Sequence, residues 1–173
     1  MNINTFLTTY SPIIAVIVAM RAIYYTNKNS KQQILVGKYE ELFEVVQLLG
    51  SYYDVFMHLS SKVAILKYIN NDKIQTIAQY NIERDKYLPI TEKNQIITYL
   101  SRLEVLTNCY TKKSLHQKAS KYNDLMLVFY EYVFTTGSLN KEIHYKNGFP
   151  NYDVFPLMIE DLKKEIISQI KLQ

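Results

Sequence analysis

In 173 residues there is no tryptophan, one cysteine and only four glycines. Each shortage excludes something. The lone Cys109 leaves no partner for an intrachain disulfide and gives no sign of an oxidising compartment; the plainest role for it is a small buried hydrophobe. The glycines, Gly37, Gly50, Gly137 and Gly148, are too scattered to build a phosphate-cradling loop. No G-x-S-x-G, H-E-x-x-H or C-x-x-C occurs. Helical ribonuclease domains of the HEPN type need an arginine followed four to six residues later by a histidine, and neither Arg84 nor Arg102 has one. The sequence thus offers no catalytic residues, no metal ligands and no cofactor site, and it reads as a non-enzyme. A hydrolase assembled from acids distant in sequence is the only catalytic class left open.

Acidic residues are missing from the start of the chain. Residues 1–30 carry Arg21 and Lys28 and no acid, a charge of +2, whereas the rest carries 18 basic and 16 acidic side chains, again +2. The larger part is therefore nearly neutral, and the pI of 8.9 is a weak argument for nucleic acid, which is not expected as a partner. With few glycines and prolines and no sustained strand alternation, the expected fold class is all-α.

What is present begins with an uncharged run from Ile3 to Met20, ending in Ile13-Ile14-Ala15-Val16-Ile17-Val18-Ala19-Met20. Eighteen helical residues span about 27 Å, close to the hydrocarbon thickness of a bilayer. Residues 1–26 thus read as a single N-terminal transmembrane helix, 27–32 as a polar juxtamembrane tether, and 33–173 as a helical bundle domain of four or five helices. Arg21, Lys28 and Lys31 follow the run, so the positive-inside rule leaves a short N-terminus outside and a cytoplasmic C-terminal domain in a single-pass membrane protein. Tyr24 and Tyr25 fall at the inner headgroup level.

The strongest periodicity follows. Leu35, Tyr39, Leu42, Val46, Leu49, Tyr53 and Phe56 alternate spacings of 4 and 3, with Val45, Leu48, Tyr52, Val55 and Leu59 alongside. Heptad spacing of this kind suits a coiled coil, but two adjacent stripes bury a face too wide for a two-stranded one and favour a bundle. The spacing predicts a helix over 33–69, continuous or kinked at Gly50-Ser51, then a turn at Asn70-Asn71-Asp72. A shorter helix marked by Ile74, Ile77, Ala78 and Ile82 should end at Leu88-Pro89, and Thr91 should cap the next, faced by Ile96, Leu100, Leu103 and Leu106. Ser114 opens another, with the seam Leu115, Ala119, Tyr122, Met126, Phe129 and Val133, stopped at Thr135-Thr136-Gly137-Ser138. An irregular stretch with a turn at Lys146-Asn147-Gly148 and the aromatics Tyr145, Phe149, Tyr152 and Phe155 should pack onto the bundle. Asp153 and Pro156 then start a last helix faced by Ile159, Leu162, Ile166 and Ile170.

Three polar constellations are candidates for function. Asp54 and His58, four apart on one helix, could share a proton or a metal, yet they supply two ligands where a stable site needs three or four. Glu40, Glu41 and Glu44, beside Lys38, read as a solvated helix face. Lys112, Lys113, Lys118 and Lys121, with His116, Tyr110 and Tyr122 nearby, form a basic patch able to meet an anionic surface. It lacks the arginine that bidentate phosphate recognition favours, so an ordinary solvated helix start is the preferred reading.

In layout the chain is similar to small single-pass helical proteins, some of them of the phage abortive-infection type; no diagnostic motif assigns it to a family. The expected function is a membrane-anchored cytoplasmic interaction or regulatory module, acting through a protein partner or as a homo-oligomer. The alternative is a sensory or effector bundle that binds a small ligand or acts on the membrane.

Overall fold

A computed structural model describes residues 3–68, 76–135 and 148–171, with the side chains of 3–14 and 65–68 outside that description. Among the described residues every regular element is helical. The helices are α1 (Ile3–Gly50), α2 (Tyr53–Tyr68), α3 (Ile77–Tyr87), α4 (Ile90–Tyr110), α5 (Lys113–Phe134) and α6 (Val154–Lys171). The chain forms two compact units, parted between Gly37 and Lys38.

The first unit corrects the membrane reading. Among the described residues, no helix is long and apolar enough to cross a membrane. Arg21 interrupts the apolar side chains of α1. The single-pass assignment is withdrawn, and with it the outside N-terminus, the cytoplasmic placement and the membrane roles of Arg21, Tyr24, Tyr25, Lys28 and Lys31. Residues 27–32 are helix, continuous with what precedes and follows them. No proline or glycine lies between Thr26 and Val36 to stop it.

The second unit is a helical bundle organised around α5, which packs against α2, α4 and α6, while α2 also meets α3. The reason lies in the α5 sequence. Leu115, Ala119, Tyr122, Met126, Phe129 and Val133 form the expected seam, and Leu125, Val128 and Tyr132 widen it until α5 buries side chains on several sides. The carboxyl part of α1 buries Tyr39, Leu42, Val45, Val46 and Leu49. The chain then breaks: α1 stops at Gly50, and Ser51-Tyr52 is a turn before α2. Ser51 does not cap α2; its hydroxyl donates back to the Leu48 carbonyl at 2.7 Å.

Other helix starts also use residues the sequence pattern does not single out. Thr76 and Gln79 form a reciprocal capping box on α3, satisfying two otherwise orphaned backbone donors. Pro89, not Thr91, is the N-cap of α4, without a side-chain hydrogen bond. The Asn151 side-chain oxygen accepts from the amides of Asp153 and Val154 at the start of α6. Phe149, Tyr152 and Phe155 do pack on the bundle: Phe149 stacks on Phe129 with ring centroids 3.8 Å apart, and Tyr53 stacks on Phe155 at 3.8 Å and meets Tyr152 edge-on. The turns expected at 70–72 and 146–147, and Ile69, Ile74, Thr136, Gly137, Ser138 and Tyr145, lie outside the described residues.

Tyrosine hydroxyls tie the helices together. Tyr122 donates to the Val46 carbonyl at 2.9 Å, linking α5 to α1, and Tyr80 donates to the Val133 carbonyl at 2.8 Å, linking α3 to α5. Tyr53 donates to the Pro150 carbonyl at 2.6 Å. Each ring contributes apolar area while its hydroxyl finds a carbonyl, so none of the three hydroxyls is stranded. Burial pushes the Tyr122 and Tyr80 hydroxyls well above the usual phenol range, and that of Tyr53 up to about 12, which keeps all three as donors.

Candidate functional site

The constellations read from sequence are dispersed by the fold. Asp54 and His58 are both exposed, and among the described residues no hydrogen bond or ion pair joins them. The His58 ring instead leans on Tyr87 of α3, centroids 5.0 Å apart, where Lys62 also lies 5.4 Å from the Tyr87 ring. Among the described residues, no group of three or more His, Cys, Asp or Glu side chains could hold a metal ion.

The basic patch loses its centre in the same way. Lys118 faces α6, 2.9 Å from Asp161 and 3.6 Å from Glu165, and the Asp161 bond raises its pKa above that of an ordinary lysine. Tyr122 is buried and belongs to the core. His116 turns inward, its Nδ1 3.2 Å from the Thr107 carbonyl and 3.3 Å from the Thr111 hydroxyl. Lys112, Lys113 and Lys121 remain exposed.

Two other assignments change. Cys109 is exposed, because Leu103, Leu106 and Thr107 define the inward side of α4 and position 109 falls away from it. Glu41 is more than a solvated residue: it pairs with Lys38 one turn earlier and with Arg102 on α4. The Lys38 hydrogen bond, aided by Arg102 and opposed by burial, holds its carboxyl below the ordinary 4.5.

A concavity not anticipated from sequence lies between α4 and α5. It is lined by Ile97, Leu100, Ser101 and Glu104 from α4 and by Asn123, Leu127 and Tyr130 from α5, and encloses about 140 Å³. The spacings explain the lining, since 97, 100, 101 and 104 share one helix face and 123, 127 and 130 share another. Short side chains at Ser101 and Asn123 leave space that longer ones would fill. Because only Thr111 and Lys112 separate the two helices, Glu104 and Asn123 lie nearer the connection and Ile97 and Tyr130 farther from it.

The chemistry of this cleft is uneven. Leu100 is its buried floor, while Ile97 and Leu127 are partly exposed walls. The Asn123 Oδ1 is buried and, among the described residues, receives no hydrogen bond. An orphaned acceptor of this kind costs about 1–3 kcal/mol. Glu104 is exposed and takes part in no ion pair among the described residues. At the far end Tyr130 packs on Phe134, centroids 4.6 Å apart; burial raises its hydroxyl pKa and nearby Arg84 opposes the rise. Arg84 itself is held by Asp85 and Asn81. The signal in the sequence is Asn123 set inside the apolar seam of α5, but its partners on α4 emerge only once the helices pack.

No known family, curated protein or solved structure matches the chain.

Proposed function

We propose that the protein is a helical interaction module that works through self-association or a protein partner, with contacts made by the amino part of α1. One observation carries this reading. Val16, Ile17, Val18, Met20, Ile23, Tyr24 and Tyr25 are between 50 and 67% exposed, an apolar surface on all sides of the helix. Exposed apolar patches this dense mark interaction sites. Covering each such side chain stabilises by about 1.5–3 kcal/mol, enough for a few of them to hold two helices together. The bundle then regulates or presents that contact. Nucleic acid is not the partner proposed, since the second unit's lysines are in part neutralised, as Lys118 is.

Sedimentation equilibrium of the full chain tests the reading. A mass of two or more copies is expected, shifting to one copy when Val18 and Ile23 are both replaced by lysine, with circular dichroism unchanged. If the chain sediments as a monomer at every concentration and crosslinking from its source cells traps no protein at α1, the reading fails.

A further inference from the structure

We propose that the α4–α5 cleft receives the amino part of α1 from a second copy of the chain, with Tyr24 or Tyr25 seated in it. The proposal rests on the reading of α1 as a contact surface and adds what that surface meets. Charge tells against the simplest alternative, α1 lying on α1. Residues 1–37 hold Arg21, Lys28 and Lys31 and no acid, so two such stretches laid together bring cations and no carboxylate to answer them. The cleft supplies one. Glu104 is exposed in its lining, with no ion pair among the described residues. Ile97 and Leu127, 41 and 40% exposed, are apolar walls beside the Leu100 floor.

Size and spacing point the same way. About 140 Å³ is close to the volume of an engineered cavity that takes one benzene, so the cleft takes one ring. Tyr24 and Tyr25 are 64 and 50% exposed. Ser101 lines the same space and offers its hydroxyl to the phenol. Arg21 precedes the two tyrosines by three or four residues and Lys28 follows them by as many, on the same helix face. Glu104 is four residues, about one turn, from Leu100. A ring over Leu100 therefore brings a cation to the level of Glu104 whichever way the incoming helix runs. In a closed pair each copy lends its helix to the other's cleft, and the contact is made twice.

The test is sedimentation equilibrium of full-length variants, alone and mixed, with circular dichroism to show that each is folded. One variant loses the rings, Tyr24→Ser with Tyr25→Ser; the other loses the cleft, Ile97→Lys with Leu127→Lys. All four positions are exposed, so folding is not at stake. Each variant alone should associate at least about tenfold more weakly than the parent, as a lost anchor contact does. Mixed in equal amounts they should form a one-to-one pair, since the intact helix of one meets the intact cleft of the other. Glu104→Lys should weaken the parent about tenfold, and adding Arg21→Glu and Lys28→Glu to the same chain should restore association. Should the cleft variant lose helix, that charge exchange decides alone. The proposal falls, and α1 remains a contact surface with another target, if the cleft variant associates like the parent, if the mixture stays as single copies, or if the charge exchange changes nothing. A parent that stays a single copy but crosslinks through α1 to another protein, or floats with anionic phospholipid vesicles, gives α1 that occupant and also overturns it. A parent that does none of these removes the contact role of α1 as well.

Discussion

The two parts of α1 are made of similar residues and meet opposite fates. From Val16 to Tyr25 the helix is apolar on every side but for Arg21, and its side chains are exposed. From Tyr39 to Leu49 the apolar residues fall on one broad face: Tyr39, Leu42, Val45, Val46 and Leu49 are buried, Leu42, Val46 and Leu49 wholly so, while Phe43 and Leu48 are half-buried at its edges. Apolar content is therefore not what places a segment in the core. Periodicity is: Lys38, Glu40, Glu41, Glu44 and Gln47 interrupt the second stretch at intervals that leave a stripe for α5 and a polar flank for water. The charges differ in kind as well. Arg21, Lys28 and Lys31 have no acid among them, whereas Glu41 links Lys38 to Arg102 across two helices.

Paired alanine substitutions break the comparison most sharply. Leu42→Ala should cost about 2–5 kcal/mol of bundle stability in urea unfolding, the range for emptying a filled core site. At dilutions where the chain is a single copy, Val18→Ala should change it by less than about 0.5 kcal/mol, as exposed positions do. Comparable losses at the two sites would show that the amino part of α1 is packed in the folded state.

The end of the buried stretch gives a finer test. A Cβ placed on Gly50 would lie 2.9 Å from Ile159 Cδ1 and 3.5 Å from the Tyr122 hydroxyl. The nearer atom is the tip of a flexible side chain, so Gly50→Ala should be tolerated. Gly50→Leu has no such escape and should cost about 1–3 kcal/mol by overpacking. Replacing Ile159 by alanine in the same chain should recover part of that loss; no recovery would mean that α6 does not close on the end of α1.

The smallest effect concerns charge. The folded-state pKa of Glu41 is depressed, so its stabilising contribution is present above the ordinary carboxyl range and is lost as pH falls through the lowered value. Because the Arg102 side chain is 56% exposed, the pair should contribute less than about 1 kcal/mol. The stability gap between the parent and Glu41→Gln should be visible at neutral pH and vanish in acid. A gap that is flat down to strong acid would remove Glu41 as the cause.

Much of the bundle is legible in the residue pattern by itself. The 3–4 spacing of Leu115, Ala119, Tyr122, Met126, Phe129 and Val133 determines a helix with a buried stripe, and all six side chains are buried. The same holds for Tyr39, Leu42, Val46 and Leu49, because helical geometry fixes which positions share a face. Helix starts are less legible, since a cap depends on one side chain reaching one amide, as Thr76 does. The apolar run near the amino terminus misleads, because composition counts side chains without asking what surrounds them. Tertiary structure alone decided the functional candidates. It turned Lys118 toward Asp161, set the His58 ring against Tyr87, and placed Glu104 of α4 and Asn123 of α5, 19 residues later in the chain, around one cleft. Periodicity is a local property of one helix, but a cleft belongs to two, and its contents depend on the register in which they pack.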